Sequence, residues 1–295
     1  MANEGALQEA QAQLAELIKA AKIGNIIPIR LPGQLEAIEA LLAKAEEQHA
    51  EEMQKRAAAP DLEAYMKDQA AFLSHAVHEL RTPMTSIRGY ADMLNTPAMG
   101  ELNDMQKQFL DTIRTNARRM ESLLSDVSII NKLRANNLRL NQKMDMFKNI
   151  AMMIEKQMRP YAEELKRTLT FDIPQGLPLL TVDSELLTIA LNKLVENAIR
   201  YSPEETGTVK VTGAAAGSDL VITIADNGIG ITPEDLAQLG TLYFRSENEA
   251  VRAYKGSGTG IPIAYGLIEL MGGSVSVEST VDVGTTFTIM LKGMT

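Results

Sequence analysis

The chain has 295 residues, no cysteine, only three histidines and a formal net charge of −9. It is long enough for two domains. The composition excludes disulfides, thiolate chemistry and a cysteine-based metal centre, and it makes a zinc site a poor expectation. The acidic balance argues against nucleic acid as partner and against a polybasic membrane anchor.

In chain order, residues 3–22 can form an amphipathic helix with Leu7, Leu14, Leu17 and Ile18 on one side. GNIIPIRLPG (24–33) interrupts it, and a second helix is expected over roughly 34–56. Residues 1–60 form a helical segment with no chemistry of its own on display. No apolar run reaches the ~20 residues needed to span a bilayer. The acidic start lacks the layout of a secretory signal, so a cytoplasmic protein without direct membrane insertion is expected.

AAAPD (57–61) marks a boundary, and Asp61 suits the N-cap of a long helix from Leu62. The apolar stripe of that helix runs through Leu62, Tyr65, Met66, Phe72, Leu73, Ala76, Leu80, Met84, Ile87, Ala91 and Leu94. NTPAMGELN (95–103) reads as a turn. A second long helix opens at Asp104, with Met105, Phe109, Ile113, Ala117, Met120, Leu124, Val127 and Ile130 as its stripe. One αα-hairpin has a single apolar seam to bury, whereas two hairpins make a four-helix bundle, so a homodimer is expected.

Beyond ANN (135–137) short strands alternate with helices: LTFDI (169–173), a helix from Ser184 to about Arg200, TVKVT (208–212), LVITIAD (220–226), SVSVES (274–279) and TTFTIML (285–291). The expected fold class is therefore α plus α/β: a helical hairpin over 61–135, followed by an α/β sandwich over 136–295.

Two histidines lie in the first long helix. On a helical wheel His78 falls roughly 160° from the centre of the apolar stripe and His75 about 60° from His78, so both face outward. Their neighbours differ. Glu79 can take or orient the imidazole proton of His78. Thr82 reaches the same region one turn on. Pro83 removes the donor for the Glu79 carbonyl and predicts a local kink. HELRTP (78–83) resembles the phosphoacceptor box of sensor histidine kinases over six consecutive residues. The resemblance implies His78 as phosphoacceptor, Glu79 as its acid–base partner and Thr82 as the group that orients water in a phosphatase reaction. The family often has Ser before the acceptor; here it is Val77.

ATP should then bind the second domain, and four stretches bear on this. In LNKLVENAIRYS (191–202) the Asn197 amide oxygen can ligate Mg²⁺. Lys193 and Arg200 share its flank, and Tyr201 is placed to stack on an aromatic ring. In ADNGIGI (225–231) Asp226 can accept from an exocyclic amine, and Gly228 and Gly230 let the backbone approach a flat ligand, up to Ile231. In KGSGTGI (255–261) Gly256, Gly258 and Gly260 expose backbone N–H groups at a helix start. GTTF (284–287) supplies the hydroxyls of Thr285 and Thr286.

In that order these stretches resemble the boxes of the ATP-binding domain shared by histidine kinases, gyrase-type topoisomerases and the Hsp90 family. LYFR (242–245), with Arg245, resembles the F box of the lid. The resemblance implies a Bergerat-type fold, Asp226 on the adenine N6 and Asn197 on Mg²⁺. It also implies a lid between 230 and 258, and a separate response regulator as phosphoryl acceptor and as the object of phosphatase activity. One position departs from it. Many histidine kinases carry Asn four residues before the Mg²⁺-binding Asn, and the hydrolytic relatives carry Glu there; this chain has Lys193. A cationic lysine cannot activate water, which favours transfer to His78 over an ATP-driven conformational machine. A dimeric scaffold that uses ATP only as a switch would bind nucleotide without becoming labelled.

Overall fold

The structure, a computed structural model, describes residues 62–96 and 99–293, together with Ala12, Ala15, Glu16 and Lys19, all four of them helical. The expectations for residues 20–61, Asp61 as N-cap included, lie outside the described residues, as do the side chains of Leu62, Tyr65 and Met66. The chain divides into two compact units, Met1–Asn136 and Asn137–Thr295.

The first unit contains helices α1 (Leu62–Leu94) and α2 (Asp104–Arg134). They pack along the middle of the expected stripes, with Val77, Leu80, Met84, Ala117 and Leu124 at the centre of the seam; Val77 joins from outside the expected stripe, whereas Phe72, Leu94 and Met105 stay exposed. Asn103 caps α2: its Oδ1 accepts the Gln106 N–H at 2.8 Å, while Gln106 Oε1 accepts the Asn103 N–H at 2.9 Å. This reciprocal box satisfies two donors that the helix itself leaves orphaned and ends the turn sharply. Two ion pairs clasp the helices, Arg88–Glu121 and Arg114–Asp92, each at 2.7 Å. The Asn131 amide donates to the Ala70 carbonyl at 2.7 Å and ties the other end of the seam. The helix continues through Pro83. The loss of one bond at the Glu79 carbonyl is tolerated because Leu80 and Met84 are anchored in the seam on either side. Val77 is buried there too, so the residue that replaces the usual Ser serves packing.

The second unit is a two-layer sandwich. Its sheet contains β2 (Thr168–Asp172), β4 (Thr208–Ala216), β5 (Asp219–Asp226), β6 (Ser274–Thr280) and β7 (Gly284–Leu291), in the order β2-β4-β5-β7-β6. Only the β2–β4 pair is parallel. Helices α3 (Phe147–Glu164), α4 (Ser184–Tyr201) and α7 (Gly260–Leu270) form the second layer. Two short helices, α5 (Pro233–Leu236) and α6 (Glu249–Arg252), lie in the long segment before α7. A two-stranded ribbon, β1 (Lys143–Met146) with β3 (Leu179–Val182), completes the unit.

Alternation along β4 and β5 buries Val209, Val211, Leu220, Ile222 and Ile224 completely or nearly so. Helix α4 answers with Leu187, Leu191, Leu194 and Ile199, all fully buried. Each such side chain stabilises the fold by about 1.5–3 kcal/mol. This burial holds the C-terminal end of α4 against the end of β5, and the functional groups lie there. β1, α3 and β3 are not among the elements expected from sequence. The stripe Phe147, Ile150, Ala151, Ile154 was readable at helical spacing, but β1 and β3 have four residues each and exist only by pairing with one another.

Candidate active site

In the hairpin unit His78 projects from α1 with its side chain 75% exposed, and Glu79 Oε1 lies 4.0 Å from its Nδ1. Thr82 Oγ1 donates to the His78 carbonyl at 3.4 Å, a long bond that leaves the hydroxyl on the same outward face. His75 is exposed as well. Accessibility therefore does not separate the two histidines, and the neighbouring carboxylate does.

In the sandwich unit the groups converge at one end of the sheet. The registers β5–β7 and β7–β6 set Asp226, Thr285 and Ser279 side by side in one row. Asp226 Oδ1 accepts the Gly228 N–H at 2.8 Å and the Thr285 N–H at 3.3 Å. Burial pushes the Asp226 carboxyl up to about 6, and these two backbone bonds only partly offset the desolvation. Thr286, one residue along the strand, belongs to the opposite face and does not join this row.

The loop after Asp226 is built on close approach. A Cβ at Gly228 would stand 2.6 Å from the Tyr201 carbonyl oxygen. Gly230 has φ +66°, and a Cβ there would meet the Thr280 carbonyl at 2.0 Å. The Ile229 N–H donates to the Tyr201 carbonyl at 3.2 Å, which ties the loop to the end of α4. The Ile231 N–H donates to Ser279 Oγ at 2.8 Å.

Helix α4 carries Lys193, Asn197, Arg200 and Tyr201, all half-buried. The Lys193 stem and the Asn197 Nδ2 lie 3.8 and 4.0 Å from where a Gly260 Cβ would stand, so α4 faces the start of α7 across a glycine. Arg200 Nη1 lies 3.6 Å from the corresponding point at Gly256. Burial works against the Arg200 charge, but the partnering Glu196 carboxylate and the Tyr161 hydroxyl more than compensate and raise its pKa. Glu196 is thereby committed to Arg200. Arg245 braces the segment before α7: its Nη2 donates to the carbonyls of Val251 at 2.8 Å and Tyr254 at 2.6 Å, with its Cζ 3.9 Å from the Gly256 point. Gly258, φ +71°, packs under Tyr243, whose N–H donates to the Gly258 carbonyl at 3.1 Å.

Sequence reading missed three participants. Tyr254 stands edge-on to Tyr201, ring centres 5.9 Å apart, and its hydroxyl accepts from Arg167 at 3.1 Å. Tyr161 accepts from Arg200 Nε at 3.3 Å. Ser279 links the loop to the β6–β7 turn. Tyr254 was detectable, since it precedes KGSGTGI by one residue; the other two are far from any motif.

The two halves of this chemistry match known families. Residues 68–136 fit the His Kinase A (phospho-acceptor) domain, and residues 182–294 fit the histidine kinase-, DNA gyrase B- and HSP90-like ATPase. The chain belongs to the sensor histidine kinases. Among its relatives, histidine protein kinase DivJ of Caulobacter vibrioides is 29% identical over 231 residues, 78% of this chain and 38% of the relative. The autoinducer 2 sensor kinase/phosphatase LuxQ of Vibrio cholerae is 28% identical over 290 residues, 90% of this chain and 31% of the relative. This histidine kinase chain thus spans well under two thirds of these relatives' length. Full-length ShkA, solved in complex with AMPPNP, superposes with a TM-score of 0.63 at 26% identity, covering 77% of this chain and 46% of that one. The Acinetobacter baumannii histidine kinase AdeS shares the fold, with a TM-score of 0.53 at 21% identity over 74% of this chain and 98% of its own. No helix among the described residues is long and apolar enough to cross a membrane.

Proposed function

We propose that this chain is a protein-histidine kinase that phosphorylates His78 from ATP and passes the phosphoryl group to an aspartate of a separate response regulator. Residues 61–135 would be the dimerisation and phosphotransfer domain and residues 136–295 the ATP-binding domain. The observation that carries the reading is the pairing of an exposed His78–Glu79 couple with a separate row of polar groups around a half-buried carboxylate, Asp226. The desolvated carboxylate suits an exocyclic amine, and the glycines at 228 and 230 let the loop close tightly against the Tyr201 and Thr280 carbonyls beside it. Tyr201 offers a ring face at the end of α4. The flank of Lys193, Arg200 and the N–H groups around Gly256, Gly258 and Gly260 suits phosphate oxygens.

In the reaction a ring nitrogen of His78 attacks the γ-phosphorus. An N–P bond forms, the bond to the bridging oxygen breaks, and ADP leaves with that electron pair. The imidazolium that results loses its Nδ1 proton toward Glu79, the carboxylate beside it. Positioning and neutralisation of charge supply most of the catalysis in such transfers. Asn197 fits a Mg²⁺ role by its chemistry: its amide oxygen is a hard, neutral ligand facing the start of α7, and Mg²⁺ commonly takes one or two protein ligands plus substrate phosphates. When bound there it would neutralise phosphate charge. The commitment of Glu196 to Arg200, with Lys193 at the other position, leaves no carboxylate on this flank to activate water, so transfer is favoured over hydrolysis.

The hairpin supports a homodimer. Phe72, Tyr90, Met93, Leu94 and Met105 remain 43–65% exposed on a single hairpin, which a second hairpin could cover. Thr82, on the same face as His78, would support dephosphorylation of the regulator by orienting water. A Thr82→Ala variant should then keep its kinase activity and lose the phosphatase activity.

Incubation with γ-labelled ATP and Mg²⁺ tests the proposal, with wild type beside His78→Gln and His75→Gln. Acid-labile, base-stable label should disappear only with His78→Gln. Label that survives this change but disappears with His75→Gln would move the site; nucleotide binding without any label would sink the kinase reading in favour of a switch.

A further inference from the structure

Ser279 lies on β6, in a stretch whose sequence suggests nothing beyond an alternating strand. Its hydroxyl makes three contacts. It accepts the Ile231 N–H at 2.8 Å, lies 3.0 Å from the Gly284 carbonyl oxygen and lies 2.8 Å from Thr285 Oγ1. A serine hydroxyl has one proton to donate and two lone pairs to accept with. The Ile231 N–H can only donate and the Gly284 carbonyl can only accept. All three contacts are hydrogen bonds in one arrangement alone: Ser279 donates to Gly284, and Thr285 donates to Ser279. The single proton of Thr285 is then spent, and its oxygen has only lone pairs for any further partner. Its neighbour in the row, Asp226, is an acceptor that already takes two backbone N–H groups. The Asp226–Thr285 pair therefore presents acceptors and no donor.

We propose that Ser279 is a specificity-determining residue for the nucleobase: by holding Thr285 as an acceptor, it makes the site accept a base with an exocyclic amine and reject one with a keto oxygen in that place. The proposal rests on the reading of this pocket as the nucleotide site. An amine has two protons to give to the two acceptors. A keto oxygen meets only lone pairs, and all the groups concerned go unpaired, which is how a polar site rejects an analogue most strongly. Without the Ser279 oxygen the Thr285 proton is released, and the same threonine can donate to a keto oxygen. Ser279 is a positioning residue, acting through Thr285.

The test is displacement of trinitrophenyl-ATP from the full chain by ATP and by GTP, with Mg²⁺, for wild type, Ser279→Ala and Ser279→Thr. Wild type should prefer ATP strongly. Ser279→Ala should narrow the ATP-to-GTP ratio by roughly tenfold, and Ser279→Thr, which keeps the hydroxyl, should retain it. Equal weakening of both nucleotides, or an unchanged ratio, in Ser279→Ala would reduce Ser279 to a structural contact and overturn the proposal. Should circular dichroism show that the alanine variant does not fold, Ser279→Cys, close in size and a weak donor and acceptor, is read in its place against the same two outcomes. Failure of wild type to bind either nucleotide would overturn the nucleotide reading itself; wild-type ATP binding with an unmoved ratio overturns only the role of Ser279.

Discussion

The hairpin and the sandwich organise their chemistry in opposite ways. His78 stands in solvent on a helix face that the fold does not use: the seam is made by Val77, Leu80 and Met84, and the reactive group and its carboxylate neighbour point away from it. Asp226 sits in a row that the fold does use, with its oxygen bonded to the backbone of two other segments and its neighbours held by glycines that have no room for a Cβ. An acceptor that must be reached by other proteins has to be exposed. On the proposed function the Asp226 row must tell one base from another, which requires polar groups that are desolvated and fixed. Function should therefore separate from stability in the hairpin and be entangled with it in the sandwich.

The largest effects test this separation directly. Gly230→Ala places a Cβ where the Thr280 carbonyl already stands, at a φ of +66°. The loop must move, so nucleotide binding should be lost and stability should fall by about 1–3 kcal/mol in urea unfolding. His78→Gln should abolish the label yet shift stability by no more than about 0.5 kcal/mol, as exposed substitutions do. Equal destabilisation by the two changes would break the comparison.

Asp226→Asn sharpens it. Burial pushes the carboxyl up to about 6 in the folded chain, from an ordinary value of 3.8. Its folded pKa is raised, so between 3.8 and about 6 the folded state holds more proton than the unfolded one. The contribution of this group to stability is then greatest at low pH and falls as pH rises through that window. Above it the ionised, half-buried carboxylate costs on the order of 1–3 kcal/mol. Asparagine keeps an acceptor oxygen without the charge, so the free variant should be more stable than wild type at pH 7.5, and the advantage should shrink as pH falls through 6 toward 4. Nucleotide binding should meanwhile be lost. Thermal melts of both proteins across pH, with and without ATP, give both readings; a variant less stable than wild type at pH 7.5 would mean that the charge itself is needed to hold the loop.

The same contrast explains what could be read in advance. HELRTP is contiguous, and its meaning survives in one dimension because a helix places its residues by count alone. The two hairpin helices and the main strands were readable for the same reason, from periodicity. The Asp226–Thr285–Ser279 row joins residues from three strands, and only the β5–β7 and β7–β6 registers bring them together. Asp226 and Thr285 could be singled out through their resemblance to known boxes, but Ser279 could not. Arg245, expected at the nucleotide, donates to the carbonyls of Val251 and Tyr254, and no spacing rule reveals that. Thr285 and Thr286 are adjacent hydroxyls in the sequence, but strand alternation puts them on opposite faces.

A smaller effect concerns pH and ligand. An exocyclic amine donates more strongly to the ionised Asp226 carboxylate than to the neutral carboxyl, whose carbonyl oxygen still accepts. ATP affinity of wild type should therefore be flat above pH 7 and weaken by up to about tenfold per pH unit below 6. Calorimetric titration at pH 7.5, 6.5 and 5.5 checks it. Constant affinity across this range would show that the base does not use Asp226 as a charged acceptor.

The smallest effect returns to the hairpin, where the ion pairs are structural. Arg88 holds Glu121 at 2.7 Å, while the other oxygen, Glu121 Oε1, is buried without a hydrogen-bond partner among the described residues. Removal of the arginine leaves a carboxylate facing the seam with nothing to offset its desolvation. Arg88→Met should cost about 1–2 kcal/mol. Arg88→Met combined with Glu121→Leu removes both charges from a place where the pair gains little over apolar packing, so the double variant should recover most of the loss. Neither change touches the outward face that carries His78, so the label should persist in both. A double variant as unstable as the single one would show that the pair fixes the register of the two helices. In that case the exposed histidine would depend on the polar clasp beneath it, and the division between a stable seam and a free functional face would not hold for the hairpin.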